Sequence, residues 1–117
     1  MRVGAIYRGE DCLLPRVWDA VSAWERTRGL LGRAQLGSGE GMLIRPCRSV
    51  HTVGMGYPLD IAFIDESGQV RKLVRRLAPW RMAGSLAACA TLEMAPGTLD
   101  RIGLQPGDRL DWREALA

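Results

Sequence analysis

Short stretches in which apolar residues recur at every second position, broken by Gly, Pro, Asp and Ser, dominate this chain. That is the signature of strands buried on one or both faces of a sheet. Residues 3–7 and 12–18 flank Arg8-Gly9-Glu10-Asp11 and predict an opening hairpin, whose second strand is an edge or bulged one because Pro15 has no amide to donate. Residues 41–45, 50–55, 59–64 and 69–73 are further β-favouring segments, and Asp65-Glu66-Ser67-Gly68 joins the last two as a hairpin. In residues 88–95, Leu92 and Met94 fall on one face and Thr91 and Glu93 on the other. Pro96-Gly97-Thr98 then opens one helical turn, capped by Thr98 and stopped at Gly103, before Pro106-Gly107-Asp108 leads into a last strand at 109–112.

One segment keeps a helical period instead. Trp24, Thr27, Leu30 and Leu31 recur at three-to-four spacing, Ser22 and Glu25 have the capping-box pattern, and Gly32 supplies a left-handed stop, so a helix is expected over 23–31. Gly29 inside it costs roughly 1 kcal/mol relative to Ala, which points to close packing against the sheet. Many short strands with one helix predict a mainly β fold: a small closed barrel or sandwich with one α-helix packed against it. With 117 residues and no repeat or linker, a single domain over 1–117 is expected.

Composition changes this picture little. Hydrophobic residues at 47 % and charged residues at 25 % are ordinary for a packed globular chain. The longest apolar stretches, 61–64 and 86–90, fall far short of the roughly 18 to 20 residues a membrane-crossing helix needs. The start, MRVGAIYR, carries no secretory apolar block, and Cys12, Cys47 and Cys89 show no paired spacing, so reduced thiols and a cytoplasmic location are expected. A net charge of +3, with Lys72 the sole lysine among sixteen basic residues, is too weak a bias to imply a partner.

Several constellations could carry chemistry. Cys47 and His51 stand four residues apart, a chelating or nucleophile-base pair if the backbone turned tightly between them. In an extended segment that spacing separates them by about 13 Å. With no second such pair, no metal site is expected, and no cofactor motif is present: Gly37-Ser38-Gly39-Glu40-Gly41 lacks the lysine and hydroxyl of a phosphate loop. Asp60 lies among Leu59, Ile61 and Phe63, and Glu93 between Leu92 and Met94, so both carboxylates are expected to be shielded, with partners among Arg26, Arg33 and Arg45. Arg71, Lys72, Arg75, Arg76 and Arg81 with Trp80 form the one dense basic patch. Such a patch could neutralise phosphates while the indole stacks on a base, but it reads equally as a charged strand edge, and nucleic-acid binding is disfavoured.

Four segments, RTRGLLGR at 26–33, GEGMLIRPC at 39–47, PLDIAFID at 58–65 and TLEMAPGT at 91–98, together resemble the family known as domain of unknown function 192. The pattern falls on Gly29-Leu30, Gly41-Met42, Gly54-Met55, Pro58-Leu59-Asp60, Leu92-Glu93 and Gly107-Asp108, with Gly54 and Gly56 where commoner members carry Trp and Lys. Pro46-Cys47, Val50-His51-Thr52 and Pro79-Trp80-Arg81 resemble a subgroup more closely. The resemblance implies a compact, mainly β barrel or sandwich with a single helix and no established reaction. Some relatives are encoded near pilus-assembly or secretion genes, which implies a link to envelope or pilus assembly.

The reading that follows is a non-enzymatic β-barrel domain, a monomer or weak homodimer, that binds a small polar or anionic ligand or a partner protein in a cleft near His51, Asp60 and Arg33, with Arg26, Glu93, Met55 and Cys47 around it. A Cys/His or carboxylate hydrolase, and nucleic-acid binding through 71–81, are the alternatives.

Overall fold

The computed structural model describes residues 1–20 and 35–115. These form strands β1 (Arg2–Arg8), β2 (Asp11–Ala20), β3 (Glu40–Ile44), β4 (Ser49–His51), β5 (Leu59–Ile64), β6 (Val70–Leu77), β7 (Met82–Gly84), β8 (Ala90–Met94) and β9 (Asp111–Glu114), and a short helix α1 (Thr98–Ile102). Seven strands make one sheet in the order β6-β5-β8-β3-β2-β1-β9, while β4 and β7 pair as a separate ribbon. Every pairing is antiparallel except that of β2 with β3. A parallel pair needs a crossover connection of about a dozen residues or more, commonly helical. The link from Ala20 to Glu40 is that crossover, and the helix expected over 23–31 falls within 21–34, outside the described residues.

The fold is mainly β, as the alternation predicts, but the expected barrel closure is corrected: the sheet stays open, with β6 and β9 as its edges. Those edges meet at one corner only. The Val70 amide donates to the Asp108 carbonyl, that of Gly107 to Val70 and that of Leu110 to Gly68, each at 2.8 Å, around a single bridge between Gln69 and Arg109. The contact with β6 is made by the turn ahead of β9, while the four residues of β9 itself pair with β1. Glycine makes both approaches possible. A Cβ on Gly68, whose φ is +87°, would lie 2.7 Å from the Leu110 carbonyl oxygen, and one on Gly4 would run into the Arg113 carbonyl.

Alternation along the central strands produces two apolar layers. One face collects Leu43, Ala62, Ile64, Ala90, Leu92 and Met94 with Ile6, Leu14, Val17 and the α1 residue Leu99. The other collects Met42, Ile44, Leu59, Ile61 and Phe63 with Val50 of the ribbon and Leu36. Strands β5 and β8 are buried at every position, so any polar residue on them is committed to one layer or the other.

Asp60 is such a residue. It is 1 % exposed, on the α1 side, and opposite it β6 bulges: Leu59 pairs with Leu77 but Ile61 with Val74. Arg76 adopts φ +50° in the bulge, and its amide donates to Asp60 Oδ1 at 2.9 Å. Asp60 Oδ2 accepts the Leu99 amide at 2.9 Å in the first turn of α1. The helix is N-capped by Gly97, φ +89°, with no side-chain cap, so Thr98 is not the cap, and Asp60 supplies from another strand the acceptor that a local side chain would otherwise give. The arginine partner expected for Asp60 is therefore corrected to two backbone amides.

Two further boundaries differ from expectation. The strand expected at 50–55 ends at His51 because Thr52, fully buried, turns the chain onto residues 78–81: its hydroxyl donates to the Ala78 carbonyl at 2.6 Å and accepts the Arg81 amide at 2.9 Å. Residues 82–84, not anticipated as a strand, then pair with β4.

Replacing Asp60 with Ala leaves the Arg76 and Leu99 amides without their acceptor and is expected to destabilise the fold by about 3 kcal/mol in urea unfolding, with Asp60→Asn losing roughly half as much. A loss below about 1 kcal/mol for the Ala variant would mean that water satisfies both amides.

Candidate functional site

The strand registers place Glu93 at the centre of a row running across five strands. Trp18 pairs with Met42, Met42 with Glu93, Glu93 with Ile61, and Ile61 with Val74. The next row runs Ala20, Ile44, Thr91, Phe63 and Lys72. Glu93 is thus a carboxyl set among thioether, aliphatic and aromatic neighbours, 5 % exposed, on the face opposite α1. Cys47, Met55 and Tyr57 pack on the same layer.

Among the described residues, Glu93 Oε1 and the Tyr57 hydroxyl are the buried side-chain polar atoms that lack a hydrogen-bond partner. Native structures rarely leave such atoms unpaired, since each costs on the order of 1–3 kcal/mol. Burial pushes the Glu93 carboxyl up to about 7. Burial also raises the Tyr57 phenol, and the nearby Glu93 charge raises it further. Perturbed carboxyls cluster at functional sites, which makes Glu93, with the unpaired Tyr57 phenol, the candidate group on this face.

The other residues named from sequence are dispersed. Asp60 faces the opposite layer and is fully hydrogen-bonded. His51 is exposed on β4 and pairs across the ribbon with Met82. The Cys47 thiol donates to the Ser49 carbonyl at 3.1 Å, not to His51. Arg26 and Arg33 lie outside the described residues. Arg45 joins neither Asp60 nor Glu93: its Nε and Nη2 donate to the two oxygens of Asp19 at 2.9 Å, Arg2 donates to the same carboxylate at 3.0 Å, and both guanidinium groups lie over the Trp112 ring, at 5.6 and 5.1 Å. Asp19, Tyr57 and Trp112 are the residues that sequence reasoning passed over; the alternation of β2, which buries Val17 and Asp19 together, was the available signal for the first.

The basic patch is smaller than its sequence suggests. Arg71 pairs with Asp65 at 3.3 Å, Arg75 with Asp100 at 2.9 Å, and Lys72 donates to the Gly84 carbonyl at 2.8 Å. Trp80, at φ +64°, is 65 % exposed, and Met82 two residues on is 75 % exposed. Among the described residues no group of three or more His, Cys, Asp or Glu side chains could hold a metal, and no helix is long and apolar enough to cross a membrane.

The folded protein holds the Glu93 proton up to about pH 7, whereas the unfolded chain releases it near 4.5, so stability should fall as pH rises between those values and level off above. The drop expected is roughly 3 kcal/mol. Asp65, held down to about 2 by the Ser67 side chain first and then by the Gln69 amide, titrates below this window. Denaturant unfolding at pH 5 and pH 8 should show the fall, and Glu93→Gln should abolish it; an unchanged slope in that variant would assign the effect elsewhere.

Two solved structures share this fold. A protein of unknown function from Novosphingobium aromaticivorans DSM 12444 superposes with a TM-score of 0.76 at 24 % identity, over 96 % of this chain and 84 % of its own. A protein from Sinorhizobium meliloti 1021, named as a candidate transcription regulator, superposes with a TM-score of 0.79 at 29 % identity, over 95 % of this chain and 92 % of its own. No curated protein matches the chain. The profile of the domain of unknown function 192 family, described as Uncharacterized ACR, matches residues 8–112, and the chain belongs to that family.

Proposed function

We propose that this chain is a non-enzymatic recognition domain that takes a small polar ligand against the Glu93 and Tyr57 face of its sheet. The observation that carries this reading is the pair of buried, unpartnered polar atoms, Glu93 Oε1 and the Tyr57 hydroxyl, in an otherwise apolar layer. A ligand that donates and accepts hydrogen bonds there recovers what folding has left unpaid. Of the residues first grouped, Met55 and Cys47 pack on the layer that Glu93 faces, which supports this reading, while Asp60 serves α1 and His51 is exposed on the ribbon. The Cys47 thiol, engaged with the Ser49 carbonyl, supports a non-enzymatic role over a Cys/His hydrolase. Its three free thiols suit a reducing, cytoplasmic setting.

NMR titration of the full chain with methylammonium, ethanol, acetate and inorganic phosphate is the test. At least one probe should give saturable shifts centred on the Met42, Ile61 and Glu93 amides; silence from all four, or shifts scattered over the surface, would end this reading.

A second reading is favoured by the exposed Trp80. Single-stranded nucleic acid could stack on its indole, flanked by Arg76 and Arg81, which form no ion pair among the described residues. The relative named as a candidate transcription regulator lends this support. With Arg71 and Arg75 already neutralised, binding to an oligothymidylate should show a shallow salt dependence and weaken about tenfold or more in Trp80→Ala. Affinity unmoved by that substitution would discard the reading.

A further inference from the structure

We propose that the ligand held at Glu93 is an amine: a protonated ammonium group carried on a small apolar body. The inference rests on the reading of the Glu93 and Tyr57 face as the binding site and names the chemistry that fits it.

An ionised carboxylate is an acceptor only, so Glu93 Oε1 calls for a donor; the Tyr57 hydroxyl can give one hydrogen bond and accept others. An ammonium group brings three donors and a positive charge, enough to satisfy both oxygens and to offset the charge of a carboxylate that has been stripped of water. The chain's described cations do not do this. Arg2 and Arg45 are taken by Asp19, Arg8 by Asp108, Arg71 by Asp65, Arg75 by Asp100 and Arg113 by Asp111. A phosphate or carboxylate ligand would set a second negative charge against an ionised Glu93, which favours a cationic ligand over an anionic one.

The surroundings define the rest of the ligand. Met42 and Ile61 flank Glu93 directly in the cross-strand row, Trp18 and Val74 lie one strand further out, and Cys47 and Met55 pack on the same layer. These are apolar or soft, polarisable groups, without a second charge or amide to read a polar body. At the edge of the row the Arg16 guanidinium already lies 5.2 Å over the Trp18 ring, so a cation is accommodated beside this layer.

The experiment compares three probes of equal length, n-butylammonium, n-butanol and n-butyrate, titrated into the labelled full chain at pH 8, with Glu93→Gln as the variant. Expected are saturable shifts at Met42, Ile61 and Glu93 with n-butylammonium at a concentration at least about tenfold below that needed with n-butanol, none with n-butyrate, and loss of the ammonium preference in Glu93→Gln, since charge pairing at a desolvated carboxylate is worth more than about 1.4 kcal/mol. Equal binding of n-butylammonium and n-butanol, stronger binding of n-butyrate, or an ammonium preference that survives in Glu93→Gln would overturn the amine while leaving a polar-ligand site. No shift at these residues from any of the three would overturn both.

Discussion

A strand buried on both faces offers a carboxylate no route to solvent, and this constraint organises the molecule. β5 and β8 lie side by side in the sheet, every position on each is buried, and each carries one acid. The period of two sends Asp60 to the layer shared with α1 and Glu93 to the layer shared with the ribbon. Each must then be resolved locally, because neither can turn to water.

The two resolutions differ: one acid is satisfied within the fold and the other is not. Asp60 meets two amides at 2.9 Å, one from a bulge and one from a helix start, and so converts the cost of burying a charge into a clamp between β6 and α1. A five-residue helix is too short to be stable by its own propensity and depends on such external anchoring. Glu93 Oε1 meets no described partner, and burial shifts the ionisation of this carboxyl to about 7. Asp19 gives a third solution, two arginines on one carboxylate, and Trp112 ties that cluster to β9 by stacking under both guanidinium groups and donating to the Val17 carbonyl at 3.2 Å. The open edge of the sheet is thereby held without closing the barrel.

Much of this was legible beforehand for a physical reason: side-chain alternation is a local property. Leu92 and Met94 against Thr91 and Glu93, the hairpin through Asp65 to Gly68, and the burial of Asp60 and Glu93 all follow from period-two patterning and turn chemistry. Barrel closure was not legible, because it depends on how far β9 reaches after pairing with β1, a question of register between distant strands. The second strand of the ribbon was missed for a similar reason, since Met82 to Gly84 becomes a strand only when Thr52 brings the chain back against it.

Residue order by itself determined that this chain is mainly β, that its family is the domain of unknown function 192 family, and that two carboxyls would be shielded, since composition, periodicity and motif spacing are carried along the chain. Only the tertiary structure decided which carboxyl is spent and which is left open. That outcome depends on whether an amide or a guanidinium from elsewhere in the fold arrives within hydrogen-bond distance: Arg76 and Leu99 reach Asp60, Arg2 and Arg45 reach Asp19, and no described donor reaches Glu93 Oε1.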